Sequence, residues 1–358
     1  METYYNKEAL EKIIKNEIPE EMRNVIIDVL IYLNKNGVDI EKQIERINKA
    51  DFIIANGDRI EYEYELNGKT KKIVRDKKNN KGFYKPIIVY DKINKKFKFI
   101  KELVVVKKNK KEEDIRGGII HELMHLLSSK TDIEESGEKA YHYSGIARYI
   151  YEMENGKLMT KYYEGEICIT EAITEVIRYY LMKEIYKVPY TVPYRLDENG
   201  NRFYNFNAYY MIKNLMNILN LGITRTTEID ELLDVYLNNK RDIFYTKIEN
   251  LYGMSKEQVR NVFYAVKLFT IDIFRKNMSQ ADLSLAMNSD ILPIYKDILY
   301  KFYNDLLVKN NTEERKKTLS TYLDGVENYL AVYFQYPIFN YIKEDLLNYV
   351  NLIRQTYN

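Results

Sequence analysis

Residues 112–129 read EEDIRGGIIHELMHLLSS. Three acids, Glu112, Glu113 and Asp114, open the stretch, where negative charge complements the N-terminal end of a helix dipole. Ile115, Ile119, Leu123 and Leu126–Leu127 then recur at helical spacing. At the centre stands His121-Glu122-Leu123-Met124-His125. On a helix, two His four apart project from one face about one turn apart, so both imidazoles can reach one Zn²⁺ while Glu122 faces a water beside the metal. The chain has three His in 358 residues and 53 acids, a composition that yields about 0.004 chance matches to this pattern. The flanking Ile119, Ile120, Leu123, Met124, Leu126 and Leu127 are apolar, as a helix buried beneath a sheet requires. Gly117-Gly118 weaken helix propensity but permit close approach to a neighbouring strand.

Upstream, residues 1–48 show helical periodicity in three pieces, 7–16, 20–35 and 39–48, separated by Pro19 and by Asn36-Gly37. From about 52 to 106 the period changes to two. RIEYEYEL, Asn67-Gly68 and KTKKIVR form one hairpin signal, and YKPIIVY with KFKFIKELVVV around Asp91–Lys95 form a second, so four strands are expected. Downstream, Asn155-Gly156 sits between two strand-like runs of YHYSGIARYIYEMENGKLMTKYYEGE and predicts a third hairpin. ICITEAITEVIRYYLMKEIY returns to helical spacing until Pro189. Residues 187–203, with Pro189, Pro193 and Asp197-Glu198-Asn199-Gly200, are the best linker candidate. Only four of the 14 Gly follow residue 165, so long helices are expected beyond it, at about 205–220, 227–239, 255–275, 288–309, 312–334 and 339–356.

A catalytic zinc needs a third protein ligand. A His ten residues after His121 would complete the metzincin pattern, but Thr131 stands there and Ser128 holds the glycine position, which excludes that family. The remaining source is a carboxylate on a second helix. Residues 170–175, Thr170-Glu171-Ala172-Ile173-Thr174-Glu175, put two glutamates four apart on one helical face.

Here the chain resembles the gluzincins, the HExxH zinc peptidases with a downstream glutamate ligand, and in particular bacterial metallopeptidase-like proteins whose second motif runs approximately N-E-x-x-T-E. The resemblance covers residues 115–180. It implies that His121, His125 and Glu171 bind Zn²⁺, that Glu122 is the general base, and that Glu175 accepts a hydrogen bond from a zinc histidine; Glu164 or Glu166 are the fallback ligands. Thr170 stands where the family usually has Asn. The 46-residue step from His125 to Glu171 exceeds the usual gap, and the hairpin at 141–165 absorbs the excess. The fold implied is α+β: a zincin-like catalytic domain, built from an N-terminal, mostly antiparallel sheet with the HExxH helix and the glutamate helix, followed by a mainly α-helical C-terminal half. The corresponding divisions are a helical segment at 1–50, a catalytic core at 51–200 and a helical domain at 201–358.

The activity implied is zinc-dependent hydrolysis of peptide bonds in a peptide or protein substrate, with Glu122 taking a proton from water and returning it to the leaving amine. A second electrophile beside the carbonyl oxygen is expected from His142, in Tyr141-His142-Tyr143, or from Tyr210. Cys168, the single cysteine, excludes a disulfide framework and a Cys-rich zinc module, and it reads as a small buried hydrophobe.

Charge is nearly balanced overall, 55 Lys+Arg against 53 Asp+Glu, yet residues 67–111 hold 17 Lys+Arg and three acids, a balance of +14 that leaves −12 elsewhere. The alternative function rests on this block: a metal-binding or inactive peptidase-like module that contacts an anionic partner, nucleic acid being the less favoured one. A solvated, Lys-rich sheet face is the simpler account. No run of 18 apolar residues occurs, and the opening METYYNKEALEKIIKNEIPEE is charged and amphipathic, so a protein kept in the cytoplasm with no membrane partner is expected. The 35 Tyr and absent Trp, beside abundant Lys, Ile and Asn, match the AT-rich codons of a low-GC bacterial or phage genome.

Overall fold

A computed structural model describes residues 5–57, 59–76, 82–108, 112–188, 194–196, 202–204, 226–252 and 340–357, with isolated positions between 255 and 327. They form a mixed α+β architecture. Two compact units alternate along the sequence. Met1–Tyr163, Thr174–Pro189 and Asp230–Arg241 make the first; Glu164–Ile173, Tyr190–Ile229 and Asp242–Asn358 make the second.

The first unit opens with α1 (Lys7–Ile13), α2 (Glu20–Lys35) and α3 (Glu41–Lys49), the three helices expected from periodicity. The Asn6 side chain accepts from the Ala9 amide and caps α1. In α2, Met22, Ile26, Leu30 and Leu33 are fully buried, one apolar stripe at helical spacing. These helices belong to the same unit as the sheets that follow, and α2 packs on the HExxH helix.

A three-stranded sheet has the order β1-β5-β4, where β1 is Asp51–Ala55, β4 is Gly82–Asp91 and β5 is Lys96–Lys107; β1 runs parallel to β5 and β4 antiparallel. The hairpin of β2 (Arg59–Leu66) and β3 (Lys69–Asp76) forms a separate sheet. Its turn residues Asn67 and Gly68 have φ of 53° and 71°, the conformation an Asn-Gly turn supplies. β1 escapes the period-two reading, because DFIIA is short and finds its partner, Leu103–Lys107, some fifty residues away. β5 is central, and Leu103, Val104, Val105 and Val106 are all buried. Leu103 and Val105 join Ile60, Phe83 and Ile87 in one core. Val106 meets α4 (Glu112–Leu127), where a Cβ at Gly118 would stand 3.3 Å from Val106 Cγ1. Burial on both faces explains the unbroken apolar run. In α4 itself, Ile119, Ile120, Leu123, Met124, Leu126 and Leu127 are fully buried.

A four-stranded antiparallel sheet follows in sequential order: β6 (Ser129–Ile133), β7 (Lys139–Ser144), β8 (Ala147–Glu154) and β9 (Lys157–Tyr162). Asn155-Gly156 turns β8 into β9, as expected. The sequence reading counted one hairpin here. A second tight reversal at Gly145, whose φ is +56°, adds β7, and β6 pairs outside that.

The glutamate helix, α5 (Glu164–Tyr186), begins in the second unit and ends in the first. The stretch expected as a linker contains a short antiparallel pair, β10 (Tyr194–Leu196) with β11 (Arg202–Tyr204). Helices α6 (Thr226–Leu237) and α8 (Asn340–Tyr357) match the expected 227–239 and 339–356, and α7 (Arg241–Tyr252) lies between them. The helices expected at 205–220, 255–275, 288–309 and 312–334 fall largely outside the described residues. Among the described residues no helix is long and apolar enough to cross a membrane.

Candidate metal centre

α4 carries His121 and His125 on one face, with their Nε2 atoms 3.3 Å apart. His121 Nδ1 lies 2.7 Å from Glu175 Oε1 on α5. An ionised carboxylate only accepts, so that ring nitrogen carries the proton. His125 Nδ1 lies 3.2 Å from Ser144 Oγ, at the end of β7, and 3.4 Å from the Tyr236 hydroxyl on α6. Ser144 Oγ also donates to the His125 carbonyl oxygen at 3.4 Å. The two Nε2 atoms thus converge beside the Glu122 carboxylate. Two imidazole nitrogens on a tetrahedral Zn²⁺ at about 2.0–2.1 Å stand about 3.3 Å apart, so the donor set fits such an ion. His121, Glu122 and His125 each offer a ligand atom within 4.8 Å of the others. Glu122 is 7% exposed, and Gly82 of β4 lies against it: a Cβ there would stand 3.1 Å from Glu122 Oε1 and 2.6 Å from the Val105 carbonyl oxygen.

Glu175 is itself held. Arg178 donates to it from Nη2 at 2.6 Å and from Nε at 3.1 Å. Gly117 leaves the room, since a Cβ there would fall 2.8 Å from Arg178 Nη1. The glycine pair thus serves two approaches, Gly118 to the sheet and Gly117 to the arginine. Burial opposes ionisation of Glu175, but the hydrogen bond from His121 and the charge of Arg178 outweigh it and hold the carboxyl at about 2. Glu171 stands one turn earlier on α5 and is exposed. Glu166 is fully buried and committed to Arg260, whose Nη2 is 2.6 Å away, and to Tyr245, which corrects its standing as a fallback ligand. The side chains of Glu164 and Cys168 lie outside the described residues.

No protein-family model matches the chain, and no solved structure matches it. One curated protein, Cullin-8 of Saccharomyces cerevisiae, is 30% identical over 114 residues. That segment covers 31% of this chain and 12% of Cullin-8.

His142 is fully buried on β7. Its Nδ1 lies 2.9 Å from Thr131 Oγ1 on the neighbouring β6, and its Nε2 lies 3.1 Å from the Tyr84 hydroxyl. Tyr84 in turn donates to Glu102 at 2.6 Å. With no exposure and both nitrogens engaged, His142 belongs to a buried polar network. Tyr210 lies outside the described residues. Ser144, Tyr236, Tyr84 and Arg178 went unmarked by sequence reasoning, because a serine, an arginine and two of 35 tyrosines have no signature until the fold collects them.

Burial, with repulsion from Arg46 and His125, pushes the His142 imidazole down to about 3. Unfolded, it titrates near 6.5. Below that value the unfolded chain binds a proton that the folded one refuses, so the contribution of neutral His142 to stability is complete above about 6.5 and drains away as pH falls toward 3. The expected slope is at most about 1.4 kcal/mol per pH unit. Urea midpoints measured between pH 7 and 4 should fall less steeply in His142→Gln than in the wild type; parallel curves would place the acid sensitivity elsewhere.

The basic block is partly neutralised within the fold. Lys98 pairs with Asp91 at 2.7 Å, Lys101 with Asp51 at 3.0 Å, and Lys72 with Glu61.

Proposed function

We propose that the protein is a zinc-dependent peptide-bond hydrolase of gluzincin type, with a zincin-like core made of the β1-β5-β4 sheet, α4 and α5. The observation that carries this reading is the pair of imidazole Nε2 atoms converging at 3.3 Å beside the Glu122 carboxylate. His121 and His125 would hold the ion. Glu175 fixes the tautomer and orientation of His121, and Ser144 and Tyr236 hold the ring of His125, the support that a ligating imidazole requires. Glu171, one turn before Glu175 on the same face of α5, would have to supply the third ligand; it does not belong to the converging group of His121, Glu122 and His125. A bound Zn²⁺ would supply Lewis acidity toward a water and toward the scissile carbonyl oxygen. Glu122 accepts the water's proton and passes it to the leaving amine. With His142 engaged by Thr131 and Tyr84, Tyr210 is the remaining candidate for the carbonyl electrophile.

Zinc content and hydrolysis of unfolded casein test the reading together. The wild type is expected to carry one zinc and to lose hydrolysis to phenanthroline. Glu171→Ala should lose the metal, and Glu175→Ala should bind it about 10–100-fold more weakly. Equal zinc retention in both variants, with casein cleavage indifferent to the chelator, would remove the proposal.

A further inference from the structure

We propose that the outer edge of β4 is a docking slot for a short extended peptide in which apolar and acidic side chains alternate. In the order β1-β5-β4 the strand is paired on one side, and among the described residues no strand pairs with the other. Pro86 stands in mid-strand, and a residue without an N–H is tolerated within a sheet at such an edge.

A cavity of about 370 Å³ opens on this edge, within the usual size range of ligand pockets. Both faces of β4 line it. Ile87 and Val89 reach it beside Tyr64 and Ile73; Ile88 and Tyr90 reach it beside Met153. Side chains from opposite faces of one strand line a common cavity only where that cavity straddles the strand edge, and the backbone N–H and C=O groups lie there. Four residues, Ile87–Tyr90, present about 13 Å of that edge. A peptide added alongside would pair with it through its main chain and send alternate side chains to the two apolar walls.

Charge selects among such peptides. Lys85 and Lys92 line the slot; Lys92 is exposed and has no carboxylate partner among the described residues. Along the sequence, residues 67–111 hold 17 basic residues against three acids, of which Lys72, Lys98 and Lys101 are paired with carboxylates. Glutamate or aspartate between apolar residues is the complementary pattern. An anionic lipid would satisfy the lysines and the walls but not the strand edge. Binding here goes beyond the peptidase reading and needs no metal.

Fluorescence anisotropy of a labelled octapeptide alternating Val and Glu, titrated with the full chain, tests the slot. Saturable binding in the micromolar range is expected, unchanged by EDTA and by Glu122→Gln. Leu158→Glu and Lys92→Glu, each at an exposed position in the slot, should weaken it about tenfold or more while leaving the thermal melt unchanged. A peptide of the same composition with its Val and Glu in two separate blocks should bind about tenfold more weakly. Absence of binding at about 1 mM, equal affinity in both slot variants, equal affinity for the block peptide, or displacement by equimolar laurate would each overturn the proposal.

Discussion

Glu122→Gln is expected to keep zinc at the wild-type level and to lower peptide hydrolysis by about 10²–10⁴-fold, or about 3–5 kcal/mol of barrier. The side chain keeps its volume, so the close packing of Gly82 against it survives. What disappears is the capacity to take a proton from water and return it to the leaving amine. The loss should therefore fall on kcat, with KM little changed. A quenched-fluorescence peptide assay beside elemental analysis separates the alternatives. Hydrolysis within threefold of wild type, with zinc intact, would assign the proton transfer to another group.

Gly145→Ala is expected to destabilise the first unit by about 2–4 kcal/mol. Gly145 has φ of +56°, and an added Cβ would stand 2.3 Å from Tyr236 Cε2. The ring has little freedom to yield, for Tyr236 is fully buried and its hydroxyl is bound to Thr174 and lies near His125. The Gly145 amide donates to Ser128 Oγ and its carbonyl accepts from Asn239, so the backbone is also held. Gly156 is the control: φ is +74° with nothing within 4 Å of an added Cβ, so Gly156→Ala should show only the dihedral cost of about 1–2 kcal/mol. A larger fall in thermal midpoint for Gly145→Ala, together with weaker zinc binding, is the expected pair of results. Equal falls in the two variants would show that the contact with Tyr236 carries no weight.

The helix with its two His was legible because a pattern five residues long needs only the helical repeat to become geometry. The acid-rich first turn and the Asn-Gly turns were legible for the same local reason. Glu175 could be named from its place one turn after Glu171, and its bond to His121 follows the motif that suggested it. The supports of His125 could not be named: Ser144 comes from the end of β7, Tyr236 from α6, and neither has a local pattern that sets it apart from other serines and tyrosines. The same limit explains His142. As one of three histidines, 17 residues after the motif, it invited a catalytic role, but β6 and β7 bury it between Thr131 and Tyr84.

Local sequence thus determined which chemistry the chain carries, two imidazoles and a carboxylate on one helical face, because those positions are related by the repeat of a single helix. Tertiary structure decided what holds the Nδ1 side of each ring. That depends on groups brought in from 19 to 111 residues away, and only packing sets such distances. It also decided that β5 would have α4 against one face and the core containing Ile60 against the other, while among the described residues β4 is paired along one edge alone. A strand's own residues specify two faces, but whether its edge is paired depends on which strand lies beside it.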